Sequence, residues 1–428
     1  MRLEVIILAA GEGTRMQSSI PKVLHTVGGR PLLDHVLSVA RDLKPEALHV
    51  VVGRSGGDVQ AYFEGTDVAW VEQIEQKGTG HAVMQAIDDV ESPAMVLVLF
   101  GDVPLIEKVT LEACISAAAD GIGVVTVDMP VPDGFGRIQR RSDGQIEAIV
   151  EDRDATPAQR TITEVNTGIL AAPAGILAGL LESITARNAQ GEYYLTDIVG
   201  LAASQDVRIT GVDATNPEEV QGINDRIQLA SVERYMQRRE AERLMADGVT
   251  IADPSRLDLR GTLAAGQDCF IDINVIIEGV VVIGDNVSIG PGCVVTDSEL
   301  ADGVVIEAHS VVEGAVVGAN CRLGPFARVR AGTELAEGAR IGNFVETKKA
   351  IIGADAELQS PDATTLDRVH AAMLLQASGQ ANALRKLIGT EQDRGPDFLR
   401  LANALSALYP KGAEEKRLLD AMLLAVPR

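Results

Sequence analysis

Cysteine is scarce: the four residues Cys114, Cys269, Cys293 and Cys321 form no Cys-x-x-Cys pair and no Cys/His ligand spacing. That excludes a disulfide framework or a structural zinc site as the organising feature, and leaves buried thiols in a reducing cytoplasm as the expectation. Long apolar runs are missing as well. Val5–Ala10 is too short for the hydrophobic region of a signal peptide and runs at once into Gly11, Glu12 and Arg15. No stretch approaches the roughly 18 apolar residues of a membrane span, so a cytoplasmic protein is expected. Basic residues are the minority, with 38 Lys plus Arg against 61 Asp plus Glu and a net charge of -23. This balance argues against DNA, RNA or an anionic membrane as a partner, but not against phosphate ligands held by a few local cations or a divalent metal. Aromatics are only 3% of the chain, whereas glycines number 42 in 428 residues. Few aromatics and many glycines predict small, repeated interior positions somewhere in the fold. The 46% hydrophobic content excludes disorder, and the length suits two or three domains.

Three segments follow along the chain. Residues 1–224 alternate strand candidates (Leu3–Leu8, Leu48–Val52, Met95–Phe100, Gly123–Val127, Val207–Gly211) with amphipathic stretches such as Leu32–Arg41 and Gly80–Ile87. This predicts an α/β, Rossmann-like domain: a mostly parallel sheet with helices on both faces and ligands beyond the carboxyl ends of its strands. Residues 225–248 read as one polar connecting helix. From Ile271 to Ile341, thirteen aliphatic residues recur at ten intervals of six and two of five. Small or β-branched residues such as Val287, Cys293, Ser310 and Ala339 often follow four places later. Neither a helix of period 3.6 nor a strand of period 2 accounts for six. A hexapeptide-repeat parallel β-helix does, over residues 249–353 and about four coils. The period is read as failing after Lys349. Residues 361–428 are read as roughly four short helices, with Leu366, Val369, Met373 and Leu374 on one apolar face and Phe398, Leu401, Leu405 and Leu408 on another. The charge shifts there too: nine Lys/Arg against eight Asp/Glu give +1, leaving -24 on residues 1–360.

The first strand leads into Leu8-Ala9-Ala10-Gly11-Glu12-Gly13-Thr14-Arg15-Met16. Gly11 and Gly13 let backbone N–H groups approach a phosphate. Taken alone, the pair serves a plain tight turn equally well, because the spacing is neither a P-loop nor a dinucleotide fingerprint. Arg15 and Lys22, the latter following Pro21, add two cations within reach of one loop.

With Pro21-Lys22-Val23-Leu24-His25, this loop resembles the signature of sugar-1-phosphate nucleotidyltransferases. Further motifs are Gln73-Ile74-Glu75-Gln76-Lys77-Gly78-Thr79-Gly80-His81-Ala82, Gly101-Asp102-Val103-Pro104, Gly134-Phe135-Gly136-Arg137-Ile138, Glu164-Val165-Asn166-Thr167-Gly168 and Gly222-Ile223-Asn224. Joined to a hexapeptide coil, residues 1 to about 353 resemble the bacterial bifunctional N-acetylglucosamine-1-phosphate uridylyltransferases/glucosamine-1-phosphate acetyltransferases. The resemblance implies that the coil is left-handed. It implies that Leu8, Ala9, Ala10 and Gly11 line a nucleotide pocket beside Phe100 and Gly101, with Gln73, Gly78 and Thr79 reading uracil. Gly136, Glu151 and Asn166 would hold the N-acetylglucosamine moiety. Asp102 and Asn224 would coordinate Mg²⁺, Asn224 also facing substrate, while Arg15 and Lys22 neutralise the triphosphate. Phe100 stands where the family often has tyrosine, losing a hydroxyl but keeping the shape. His81 is read as structural, at the start of a helix, with no chemistry assigned.

The expected reaction is Mg²⁺-dependent transfer of UMP from UTP to N-acetylglucosamine 1-phosphate. Two anions must be brought together, so positioning and charge neutralisation suffice and no nucleophilic side chain is needed. Arg330 and Lys348 match positions that hold the sugar phosphate for the second, acetyl-transferring reaction. The histidine base of that reaction falls at Ser360 here, so acetyl transfer is expected to be lost, with the coil truncated and followed by an unrelated helical tail. The family assembles as homotrimers through its coil; with about half of the coil missing, the oligomeric state stays open. Two rival readings remain: another sugar-1-phosphate nucleotidyltransferase using UTP or dTTP with a hexose 1-phosphate, and a non-catalytic regulatory subunit.

Overall fold

The strand Arg2–Ala9 sends alternate side chains to opposite faces of a sheet, Val5, Ile7 and Ala9 to one and Ile6 and Leu8 to the other, all buried. A strand buried on both faces needs a layer of helices on each side. The computed structural model supplies both layers. It describes residues 2–358 except Ser55, Thr215 and Asp355, and the chain divides into two units between Met236 and Gln237.

In the first unit the sheet runs in the order Arg208–Asp213, Gly121–Asp128, Glu164–Pro173, Ala94–Phe100, Arg2–Ala9, Ala47–Val52 and Ala69–Glu72. Helices Leu32–Asp42 and Lys108–Ala117 cover one face, and Thr79–Ile87, Ala174–Leu181 and Asp197–Ser204 the other. The five strands expected from the apolar pattern are all present within a few residues. Glu164–Pro173 was not foreseen. It lies in the middle of the sheet and runs antiparallel to both neighbours. Its register shifts between Asn166 and Leu170, and Gly168 has φ of +88°, so the bulge that turns Asn166 and Thr167 toward the site breaks the two-residue alternation that announces a strand. The hairpin Arg137–Arg140/Ile146–Val150 hangs from this strand through the Arg137–Val165 pair.

Helix Arg226–Ala246 begins in the first unit and ends in the second. Its early part packs Val232 with Val27, Leu32, Leu105 and Ile223, and its later part contributes Ala241 and Leu244 to the core of the second unit. Among the described residues that unit is a β-coil whose strands pair in parallel. One inward column stacks Ile271, Ile289, Ile306, Leu323 and Ile341; a second stacks Ile277, Val295, Val312 and Val329; a third stacks Ile283, Leu300, Val317 and Leu335. Each column places a buried aliphatic 17 or 18 residues after the last, three units per coil, as the period of six demands. The buried residues Cys269, Cys293 and Cys321 each donate a thiol hydrogen to a backbone carbonyl (Gly284, Glu307 and Ala336, at 3.0, 3.1 and 3.0 Å). Burial pushes all three thiols up, which keeps them unreactive.

The stacking does not stop at Lys349. Thr347 occupies the aliphatic place beside Val329, and Ile352 and Leu358 continue the other two columns. A buried threonine where an aliphatic was expected concealed one beat of the repeat, so the coil is described five residues beyond the boundary at 353. The helices expected over residues 361–428, and Ser360, lie outside the described residues.

Candidate active site

Three adjacent parallel strands end together at Ala9, Val52 and Phe100. The Gly101 N–H donates to Leu8 O at 2.9 Å and fixes the turn that carries Asp102 against the end of the first strand. Over these ends opens a cavity of about 450 Å³. It is lined by Leu8, Ala9, Ala10 and Gly11, by Gln73, Gly78 and Thr79, and by Phe100, Lys22, Asp102 and Asn224. A second cavity of about 250 Å³ shares Thr79, Phe100, Phe135 and Thr167 with the first and adds Gly136, Glu151 and Asn166. Two adjoining chambers at the carboxyl edge of a parallel sheet are where such folds bind ligands.

The loop after the first strand needs glycine at one place. Gly13 has φ of +61°, and a Cβ there would lie 2.7 Å from Lys22 Cβ. The backbone contact brings Lys22 under the loop, at the start of the short 3₁₀ turn Lys22–Leu24. Its ammonium forms an ion pair with Asp102 Oδ2 and lies 3.5 Å from Asn224 Oδ1. Arg15 Nη2 donates to the same Asn224 oxygen at 3.2 Å. Asn224 is held from behind: its N–H donates to Gln228 Oε1 at 2.7 Å, and the neighbouring Ile223 N–H donates to Asp102 O at 3.0 Å. Gly13→Ala is expected to push Lys22 off Asp102 and lower the turnover rate by about a hundredfold, the usual cost of a displacement near 1 Å at a reacting centre. Turnover rates at matched thermal midpoints check this; an unchanged rate would mean that the contact does not set the position of Lys22.

A carboxylate oxygen and an amide oxygen thus converge on one cation. Among the described residues no group of three or more His, Cys, Asp or Glu side chains is placed to hold a metal. Two hard oxygens fit Mg²⁺, which keeps waters and takes its other ligands from substrate phosphates.

In the smaller cavity Thr196 Oγ1 donates to Glu151 Oε1 at 2.8 Å. Burial raises the Glu151 carboxyl above its usual range, the threonine bond pulls the other way, and the nearby Asp197, Asp154 and Asp152 add to the rise. The Gly168 N–H donates to Asn166 Oδ1 at 3.1 Å, which commits that oxygen and leaves the amide NH₂ for a ligand acceptor. A Cβ on Gly136 would meet Ile149 Cγ2 at 2.9 Å, so the floor of the chamber is backbone.

The residues singled out in the sequence for nucleotidyl transfer are therefore brought together. Gly101 sits behind the wall, between Leu8, Ala9 and Leu33, and Arg15 reaches the site only through Asn224. Arg330 and Lys348 lie in the second unit, side by side on successive coils through the Val329–Thr347 pair, with Arg330 bonded to Glu346 at 3.1 Å. Three contributors went unassigned. Gln76 donates to Ala10 O and braces the loop after the first strand, Gln228 holds Asn224, and His81 contacts Gln73 at 3.0 Å. Gln76 and His81 stood inside a recognised motif; Gln228 lies on a polar helix and gave no signal.

Residues 5–164 match the MobA-like NTP transferase domain, and residues 259–364 the GMPPB C-terminal domain. The chain is 54% identical to the Bifunctional protein GlmU of Alkalilimnicola ehrlichii over 356 residues, 83% of this chain and 77% of that one. It is 52% identical to the same protein of Marinobacter nauticus over 357 residues, 83% and 79% of the two chains. A solved UDP-glucose pyrophosphorylase complexed with UDP-glucose aligns with 56% of this chain and 100% of its own, at 17% identity and a TM-score of 0.48. No helix among the described residues is long and apolar enough to cross a membrane. With a nucleotidyltransferase domain, a parallel β-coil and half of its residues identical over most of its length, the chain belongs to the family of the bifunctional protein GlmU, as an enzyme of the uridylyl-transferring kind.

Proposed function

We propose that the chain joins UTP and N-acetylglucosamine 1-phosphate to give UDP-N-acetylglucosamine and pyrophosphate. The gathering of Lys22, Asp102 and Asn224 on the wall of the larger chamber, with Arg15 bonded to Asn224, carries this reading. The larger chamber suits the nucleoside, the smaller one the sugar, and the α-phosphate would lie between them. A phosphate oxygen of the sugar phosphate attacks the α-phosphorus as the bond to the bridging oxygen of pyrophosphate breaks. Lys22 and Arg15 offset the charge of the two approaching anions, and the backbone at Ala10 and Gly11 admits the triphosphate closely. Mg²⁺ bound by Asp102 and Asn224 would add charge neutralisation on the phosphates. Glu151 and Asn166 would orient the sugar, one accepting from a hydroxyl and the other donating from its amide.

The reading extends to the second unit. The coil winds left-handed and carries the trimer contacts, and acetyl transfer is lost because serine, Ser360, stands where a histidine base is required. The test is a paired assay on the purified chain. Pyrophosphate release is expected with UTP and N-acetylglucosamine 1-phosphate in the presence of Mg²⁺, at least tenfold faster than with glucose 1-phosphate or dTTP. No acetyl transfer to glucosamine 1-phosphate is expected. A preference for glucose 1-phosphate would overturn the sugar assignment, and rapid acetyl transfer would overturn the loss.

Glu151 gives this reading a pH signature. Its carboxyl is raised in the folded state, so its ionisation opposes folding. Stability is fullest below about 4.5, the ordinary glutamate value, and falls as pH rises through the higher folded value. Glu151→Gln is expected to raise the thermal midpoint at neutral pH and flatten its pH dependence, while raising KM for the sugar phosphate. A lower midpoint together with an unchanged KM would remove Glu151 from the sugar chamber.

A further inference from the structure

Gln73 is 3% exposed, yet it lines the nucleotide chamber. Its side-chain nitrogen lies 3.1 Å from Gly78 O and 3.0 Å from His81 Nδ1. A carbonyl oxygen can only accept, so the amide nitrogen must face Gly78. Its second N–H then points at His81 Nδ1, which accepts only when that nitrogen is unprotonated. Both N–H donors of Gln73 are thereby used, and among the described residues its carbonyl oxygen has no protein partner. The amide is locked with an acceptor toward the chamber.

We propose that His81 is a specificity-determining positioning residue, which fixes the amide of Gln73 so that the chamber selects a pyrimidine presenting a ring N–H, uracil or thymine, and rejects cytosine, whose N3 is an acceptor. The proposal rests on the nucleotidyl-transfer reading above and deepens it. Two features of the site keep His81 in the required state. Burial lowers its pKa, and Lys77 lowers it further while Glu75 opposes; the centre of the Tyr193 ring lies 6.3 Å from that of His81. Gly78, with φ of +105° and no room for a side chain against Tyr193 O, holds the carbonyl that makes the other half of the lock. Protonation would place a donor on His81 Nδ1 against the Gln73 donor and free the amide to turn.

The test compares wild type, His81→Leu and His81→Asn. Binding of UTP and CTP is measured by calorimetry and pyrophosphate release by rate assay, between about pH 5.5 and 8.5. Leucine cannot accept, so UTP KM should rise about tenfold with kcat within about twofold, and the UTP-over-CTP preference should fall about tenfold. Asn Oδ1 can take the place of Nδ1 without titrating. His81→Asn should restore the preference and show a shallower loss of UTP affinity on acidification than wild type. Unchanged discrimination in His81→Leu, or parallel acid limbs in wild type and His81→Asn, would overturn the proposal. Discriminating UTP binding without pyrophosphate release would instead sink the transfer reading and leave the role of His81 standing.

Discussion

Asp102→Asn is expected to slow pyrophosphate release by about a thousandfold, while circular dichroism remains that of the wild type. Asparagine keeps the shape and one acceptor oxygen but removes the charge that faces Lys22. Lys22 is then free to hold phosphate, so KM for UTP should not rise; the loss belongs to turnover. Asn224→Ala removes a neutral carboxamide and no charge, and should cost about tenfold. The double variant should be little slower than Asp102→Asn alone, because both oxygens serve one cation and their contributions cannot add once it is lost. Raising the Mg²⁺ concentration should recover part of the activity of Asn224→Ala and almost none in Asp102→Asn. An undiminished rate in Asp102→Asn would remove the metal assignment and leave Lys22 and Arg15 as the only charges acting on the phosphates.

The site was legible wherever one short motif holds a whole function. Ala10 and Gly11 follow a strand that ends in the aliphatic run Val5–Ala9, and Asp102 lies just beyond another apolar strand, so the rule that ligands sit beyond parallel strand ends located both without coordinates. The β-coil was legible because its period of six has no competitor among helices and strands. What stayed hidden was hidden by function or by long-range contact. Glu164–Pro173 loses its strand pattern where Asn166 to Gly168 bulge into the smaller cavity. Thr347 masks a coil beat because its size fits the column although its polarity does not. Gln228 reaches Asn224 from the first turn of a helix whose polar surface resembles any solvated face. His81 reads as a structural helix-start residue until its ring nitrogen is seen against Gln73. Such roles depend on which neighbour a side chain meets, and a linear pattern records only that the side chain is there.

Leu323→Ala should remove about 3 kcal/mol of stability from the second unit. Leu323 is fully buried in the column between Ile306 and Ile341, with parallel backbone pairing on both sides. Strands pinned by neighbours above and below cannot close over a void, so the cavity persists and its cost approaches that of a rigid core. The same truncation at Ile251, which stacks on Ile271 alone and is 8% exposed, should cost only about 1 kcal/mol, since a coil is stabilised rung by rung through nearest neighbours. The chain offers a way to read the units separately. Its single tryptophan, Trp70, lies in the strand Ala69–Glu72 of the first unit, whose core clusters share no residue with that of the coil. On denaturant titration of Leu323→Ala, the transition followed by far-ultraviolet circular dichroism should move to lower denaturant while the tryptophan fluorescence midpoint stays close to wild type. Equal shifts in both signals would show that the units unfold as one. No shift in either would show that the column relaxes around the missing side chain, against the rigidity that its paired strands imply.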